Sequence, residues 1–336
     1  MPAVSLAPAG PFSLAAGIRF LEGFTPARYR HAADGILRLA FPADDTASVV
    51  AATVRQEAGA DGGTGTVRAE FTVHPGNPAQ AVASGPAAYE AVRAQLARIL
   101  SLDVDGTGFP ALATDPVAAG LMAELPGLRP VCFHSPYEAA VWAVIGNRIR
   151  RTQAAAVKAH IARRYGHPVH VAGQTLHAFP TPAALRAVTH VPGLTDIKIQ
   201  RLHALAEAAL DGQLDAARLR ALPADYALAD LRAIPGIGPF SAELVLIRGA
   251  GHPDVFPRHE PRVHRAVATA YGLGLPAAGD VARLAGIADR WKPYRSWVAF
   301  LLRVRAEETR SPHPPSGWPG RRPGGQRARS TCSTAS

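Results

Sequence analysis

The stretch Leu231–Ala250, "LRAIPGIGPFSAELVLIRGA", places two glycines and two prolines between two segments that otherwise read as helix. Pro235 restricts the end of the first helix, because the residue before a proline is pushed out of the helical region. Gly236 and Gly238 allow positive φ angles and close approaches that a side chain would block. Pro239 suits the first turn of the next helix, whose unpaired N–H groups point back at the glycines. Amides at a helix start with no side chain in the way can grip a backbone phosphate without reading sequence. Ser241 can add a hydroxyl or an amide. The stretch thus predicts a phosphate-gripping helical hairpin through Pro235, Gly236, Ile237, Gly238 and Ser241; the plain alternative is an ordinary tight helix connection.

The rest of the chain supplies a context for that hairpin. Its 336 residues are 48% hydrophobic, long enough for one large domain or two ordinary ones. Apolar runs fall short of the ~20 residues that cross a bilayer. "MPAVSLAPAGPF" lacks a basic segment followed by an apolar block, so the expectation is a cytoplasmic protein with no membrane partner. Cys132 and Cys332 are too few and too far apart for a disulfide framework or for an iron–sulfur cluster, which takes about four thiolates. The histidines are scattered without metal-ligand spacing, so no zinc site is expected.

Charge is distributed unevenly. Residues 1–130 carry 9 basic and 12 acidic side chains, whereas residues 131–309 carry 22 and 14, and residues 310–336 add five arginines and no acids. A positive excess of eight around the hairpin points to a polyanionic partner, with a generic basic surface as the alternative.

Patterning divides the chain into three. In residues 1–130, "ILRLAF", "SVVAATVRQ" and "TVRAEFTVH" alternate apolar and polar residues between turn signals, and "PAAYEAVRAQLARILSL" follows at helical spacing. The expectation there is a mixed α/β domain, a small antiparallel sheet with helices, in which "GGTGTV" is a hairpin loop. Residues 131–309 read as almost all helix, opening with Ser135 as cap, Pro136 in the first turn and Glu138 closing a capping box. Residues 310–336 are Pro-, Gly-, Ser- and Arg-rich and read as a disordered basic tail.

Several segments together, "YEAAVWAVIGNRI", "FPTPAAL", the hairpin, "DVFP" and "RWKPYRSWVAFLL", resemble the DNA-3-methyladenine glycosylase II family of helix-hairpin-helix DNA glycosylases. The resemblance runs from about Ser135 to Arg303. It implies a mainly α fold with an N-terminal α+β domain, and duplex DNA containing damaged bases as partner of a monomer. The implied activity is hydrolysis of the N-glycosidic bond of an alkylated or related base after base flipping. No cofactor is required, and the resemblance places a monovalent cation on the backbone carbonyls of Arg232, Ile234 and Ile237.

The family's catalytic aspartate falls on Glu260 in "DVFPRHEPRVHR", one methylene longer than expected. A carboxylate there supports the positive charge that develops at C1′; the alternative is an ion pair with Arg258, Arg262 or Arg265. Asp254 reads as a cap or turn residue. Phe240 falls where an aromatic stacks on the flipped base, while Leu244 and Arg303 replace two further aromatics. An arginine at that wall would repel a cationic base and argues for neutral or bulky lesions, or for a different pocket. Phe20 and Phe24 could add an aromatic wall, core packing being the simpler reading. Asn147 and Arg148, after "AVIG", fall where the family wedges a residue into the duplex, with phosphate contact as the alternative for Arg148 and Arg150. Lys198 and Arg201 suit phosphate contact. Trp142, Trp291 and Trp297 read as core. No lysine follows the hairpin where relatives that nick the strand keep a Schiff-base nucleophile, so a monofunctional enzyme is expected. The competing readings are a non-catalytic binder of distorted duplex and a scaffold for a repair complex.

Overall fold

A computed structural model of the chain describes residues 2–24, 26, 34–59, 64–76 and 85–309. The expected basic tail at 310–336, and part of the "GGTGTV" loop, lie outside the described residues.

Four strands, β1 (Ala3–Leu6), β2 (Leu37–Pro42), β3 (Ser48–Gln56) and β4 (Val67–Pro75), form an antiparallel sheet in the order β1-β4-β3-β2. Helices α1 (Leu14–Gly23) and α2 (Pro86–Ile99) cover one face, packing Leu14, Ile18, Leu96 and Ile99 against Phe41 and Phe71. The other face is covered by a second hairpin, β5 (His167–Val171) and β6 (Gln174–Ala178), whose Val169 and Val171 pack against Val49 and Ala51. This hairpin interrupts a region expected to be helical. The signal for it is local: apolar residues alternate in "HPVHV", and Ala172 and Gly173 turn the chain with positive φ angles of 43° and 79°, as a two-residue hairpin turn requires.

The helices fall into two cores. One unites α4 (Pro136–Gly146), α5 (Arg151–Tyr165), α6 (Pro182–Arg186), α7 (Asp196–Leu210), α8 (Ala216–Ala221), α9 (Ala224–Ala233) and α10 (Pro239–Leu244), with Ile234 and Ile237 of the glycine hairpin buried in it. Ser135 caps α4 through the amide of Glu138, at 3.1 Å. Gly249 lets the turn after α10 press on α4, since a Cβ there would sit 2.8 Å from Pro136 Cα. The second core unites α11 (Pro261–Ala270), α12 (Val281–Ala288) and α13 (Arg295–Glu308) around Trp291 and Trp297. Phe109, together with Leu121 and Leu125 from α3 (Pro116–Glu124) and its end, belongs to this second core, although the sequence pattern groups these residues with the sheet. Trp142 is half-buried at the edge of the first core.

Candidate active site

The "IPGIG" turn joins α9 to α10, and its two glycines do different work. Gly236 has φ +94° and lies under the stem of Arg201, where a Cβ would come within 2.7 Å of Arg201 Cδ. Gly238 has φ −90° and open space around it, so positive φ is required at one glycine and not at both. Gly238 caps α10 without any side-chain hydrogen bond, and Pro239 occupies the first turn. The amides of Phe240 and Ser241 therefore face outward past a residue that has no side chain.

The hairpin carbonyls bear on the cation that the resemblance implies. Ile234 O accepts the amide of Ile237 at 3.1 Å, while the carbonyls of Arg232 and Ile237 accept no hydrogen bond among the described residues. Two uncommitted oxygens and one half-committed oxygen fit a cation that takes backbone carbonyls. Among the described residues no group of three His, Cys, Asp or Glu side chains could hold a metal ion.

Between the hairpin and α13 lies a cleft of about 90 Å³ whose wall includes Phe240, Leu244, Glu260 and Arg303. The four residues assigned to base and sugar thus meet in one place, from elements up to 63 positions apart. Phe240 stands 43% exposed at the mouth, its ring open to a stacking partner.

Glu260 is presented by a loop pinned at every step. Asp254 binds the amide and guanidinium of Arg295 at 3.2 and 2.7 Å, anchoring the start of α13 as a capping group does. Val255 exchanges two hydrogen bonds with the Ser296 hydroxyl, and the Pro257 carbonyl meets the His264 ring at 2.9 Å. Glu243 of α10, nearly buried, accepts the amides of Arg258 and His259 at 3.0 and 2.9 Å. The loop ends at Glu260, which caps α11 with Oε1 on the Arg262 amide at 3.2 Å. Its other oxygen, Oε2, accepts Arg303 Nη1 at 2.9 Å. Glu260 does form an ion pair, but with Arg303 and not with Arg258, Arg262 or Arg265.

Arg303 in turn binds Glu307 through Nε and Nη2 at 3.1 and 2.8 Å, and Arg151 at the start of α5 reaches Glu307 at 3.3 Å. Burial alone would raise the Glu307 carboxyl, yet Arg303 and Arg151 hold it below its ordinary value. The Arg303 charge is therefore shared between two carboxylates and does not face the cleft as a bare cation.

Arg248 also lines this cleft, a residue that the sequence reading did not assign to it. Its guanidinium lies 4.9 to 5.3 Å from the rings of Phe20, Phe24 and Phe300 and donates to the Val131 carbonyl, while Nε has no partner among the described residues. Burial pushes it down to about 10. Phe20 and Phe24 thus serve as a cage for Arg248 behind the cleft wall. Spacing offers a hint of this, since Phe240, Leu244 and Arg248 follow one another at four-residue steps.

On the opposite side, α4 ends at Asn147, and Arg148 takes a left-handed conformation at φ +56° that costs about 1–3 kcal/mol. Lys198, in the first turn of α7, donates to the carbonyls of Ile145 and Asn147, each at 2.8 Å. Its ammonium holds the Asn147–Arg148 turn, and burial together with Arg201 lowers its proton affinity. Helix α7 therefore bridges both elements, with Lys198 on the turn and Arg201 over Gly236.

A larger cleft of about 230 Å³ lies between the β2–β3 turn and the start of α4. Its carboxylates are committed to structure: Asp44 to Arg98 at 2.8 Å, Asp45 to the amides of Ala47 and Ser48, and Asp215 to the amide of Arg218.

No protein-family model matches the chain. A Mycobacterium tuberculosis protein named "Probable bifunctional transcriptional activator/DNA repair enzyme AlkA" is 32% identical over 235 residues, 67% of this chain and 44% of that protein. Escherichia coli "DNA-3-methyladenine glycosylase 2" is 30% identical over 189 residues, 54% of this chain and 62% of that protein. The chain is a homologue of the DNA-3-methyladenine glycosylases. It spans less than half the length of the mycobacterial relative. The solved structure of the 3-methyladenine DNA-glycosylase from Archaeoglobus fulgidus superposes with TM-score 0.68 at 24% identity, covering 91% of this chain and 98% of that one. An 8-oxoguanine glycosylase/lyase from Clostridium acetobutylicum, solved with duplex DNA, gives 0.52 at 16% identity, over 78% and 86% of the two chains. The fold is that of the helix-hairpin-helix DNA glycosylases, mainly α with an N-terminal α+β portion. No described helix is long and apolar enough to cross a membrane.

Proposed function

We propose that the chain is a DNA N-glycosylase of base-excision repair, hydrolysing the N-glycosidic bond of alkylated or related damaged bases flipped out of duplex DNA. One observation carries the reading. A carboxylate at the head of α11 opens onto a cleft flanked by an exposed aromatic, next to a hairpin whose amides lie bare behind Gly238.

The roles follow from that geometry. Phosphate is gripped by the hairpin from Pro235 to Ser241, which fixes the strand relative to Glu260. Asn147 and Arg148 enter the duplex and fill the space the base leaves, while Lys198 holds their turn in shape and makes phosphate contact only secondarily. The base stacks on Phe240 between Leu244 and Arg303. Glu260 stabilises the positive charge at C1′ and accepts a proton from the attacking water. Arg303 holds the longer glutamate arm in the orientation from which it acts on the sugar. A cation on the Arg232, Ile234 and Ile237 carbonyls would add positive charge near the gripped phosphate. The chain acts as a monofunctional enzyme and a monomer in the cytoplasm, with double-stranded DNA as its partner. Arg295, Ser296 and Glu243 hold the Glu260 loop and touch no substrate.

Base release from methylated duplex DNA tests the reading, comparing wild type with Glu260→Gln and identifying the released bases by mass spectrometry. Release of alkylated purines that vanishes in the variant, with duplex binding retained, is the expected result. Tight binding of damaged duplex without release from either protein would favour a non-catalytic binder.

A further inference from the structure

We propose that Glu307 is a positioning residue for the carboxylate of Glu260, acting through Arg303, and that Arg151 ties its setting to the turn that fills the duplex. The inference rests on the glycosylase reading above, in which Glu260 acts on the sugar.

Glu307 follows Arg303 by one helical turn on α13, so the two lie on the same side of the helix. Its Oε1 accepts both Nε and Nη2 of Arg303, at 3.1 and 2.8 Å. A guanidinium is flat and rigid, so two contacts along one edge fix the direction of the remaining donors. The group left over is Nη1, and it donates to Glu260 Oε2 at 2.9 Å. Without Glu307 the long stem of Arg303 would regain rotamers that carry this donor elsewhere. Glu307 therefore sets where Nη1 points, and Nη1 sets where the glutamate arm rests.

Charge gives the same carboxylate a second effect on Arg303. Burial alone would raise the Glu307 carboxyl, but Arg303 and Arg151 hold it below its ordinary value, so it is ionised at neutral pH. An ionised Glu307 shares the Arg303 charge and leaves Glu260 with negative charge to offer C1′. With position 307 neutral, Arg303 would bear on Glu260 alone and offset that charge.

Arg151 supplies the link to DNA. It is the first residue of α5, close behind the turn that carries Asn147 and Arg148, and its Nη1 reaches the same Oε1 at 3.3 Å. By place and charge an arginine there suits a phosphate, yet it is paired with a carboxylate 156 positions away. Glu307 thus joins the segment that enters the duplex to the arm that meets the sugar. A turn seated in the gap left by the base keeps Arg151, Glu307 and Arg303 in line, so Glu260 is set for bond breaking where a base has been replaced.

The test uses the full chain and the methylated duplex of the preceding experiment. Single-turnover release at saturating enzyme, affinity for a duplex with an abasic-site analogue, and melting temperature are measured for each variant. Glu307→Gln keeps the shape without the charge. It should slow release about tenfold, less than the ~100-fold that a full 1 Å misplacement costs, at unchanged affinity and melting temperature. Adding it to Arg303→Met should cost nothing more, because Glu307 acts through Arg303. Arg151→Met should slow release about twofold to fivefold, the size of a partly exposed ion pair. Arg151→Lys should recover most of that loss, and Arg151→Met should cost nothing more once position 307 is neutral. Losses that multiply in either double variant would overturn the proposal. So would unchanged release with a lower melting temperature, which would make the contacts a staple between α5 and α13. Unchanged release with weaker duplex binding would make Arg151 a phosphate ligand and overturn it as well. Failure of wild type to release any base would instead overturn the glycosylase reading itself.

Discussion

Arg303 Nη1 lies 2.9 Å from Glu260 Oε2, and the two side chains are only 22% and 15% exposed. The pair joins the head of α11 to the middle of α13 across the wall of the candidate cleft. An aspartate at position 260 could cap α11, since its short arm suits that job, but it would fall short of Arg303. The extra methylene and the arginine thus work as one unit. Glu260→Asp should therefore lower base release, although it restores the residue type that the family resemblance implies. Arg303→Met should lower it by about 10- to 100-fold with duplex affinity nearly unchanged, the size expected when a reacting group is displaced by about 1 Å. Single-turnover release beside a binding titration checks both. A Glu260→Asp variant faster than wild type would show that the pair does not aim the carboxylate.

The two hairpin glycines separate folding from binding. Gly236→Ala places a Cβ 2.7 Å from Arg201 Cδ at φ +94°, so it should cost about 1–3 kcal/mol and lower the melting temperature. Gly238→Ala meets nothing within 4 Å at an ordinary φ, so the fold should tolerate it. Its methyl group would stand between the α10 amides and a phosphate. Duplex affinity should fall about tenfold at an unchanged melting temperature, and the comparison takes one thermal scan and one titration of each variant.

How much of this was legible in the sequence depended on the range of the interaction. The "IPGIG" turn, the Ser135 cap and the strands β2 to β4 follow from local rules, and each appears where those rules put it. Glu260, Phe240, Leu244 and Arg303 could be placed around one cleft through the family resemblance alone, because no local rule joins positions 63 apart. The partners of Glu260 and Lys198 were not legible. Arg303 lies 43 residues from Glu260, and the carbonyls that hold Lys198 lie more than 50 residues away. Charge pattern pointed Glu260 at its sequence neighbours, while packing paired it with Arg303, and it gave no sign of the two carbonyls that Lys198 holds. The β5–β6 hairpin had a local signal, overridden by the helical character on both sides of it.

Lys198 offers a direct check on the turn that carries Asn147 and Arg148. Lys198→Met keeps the stem but removes both donors to the carbonyls of Ile145 and Asn147. Two charge-assisted bonds at a partly exposed site are worth about 1–3 kcal/mol together. The loss should appear as a small drop in melting temperature. A larger effect should appear in affinity for a duplex with an abasic-site analogue, where the filling residue matters most. If Lys198 served chiefly as a phosphate ligand, the loss would instead fall equally on undamaged duplex, and its salt dependence would weaken by about one ion.

Acid stability should report a second buried carboxylate, Glu138 in the first turn of α4. It lies 3.0 Å from Lys158 Nζ and 3.0 Å from His134 Nδ1, with its side chain 2% exposed. Burial alone would raise its pKa, but Lys158 and His134 outweigh that and hold it far below the ordinary 4.5. The folded state therefore binds this proton less readily than the unfolded chain does. Stability from Glu138 is present in full above about pH 4.5 and is lost as the pH falls below that, toward its folded value. Glu138→Gln keeps an acceptor for Lys158 yet cannot titrate, so it should be less stable at neutral pH, by about 3–5 kcal/mol if the Lys158 charge is left uncompensated. Its stability should also fall less steeply below pH 4.5 than that of wild type. Urea unfolding at pH 7, 4.5 and 3.5 for both proteins measures this, and parallel curves would assign the acid sensitivity to other carboxylates.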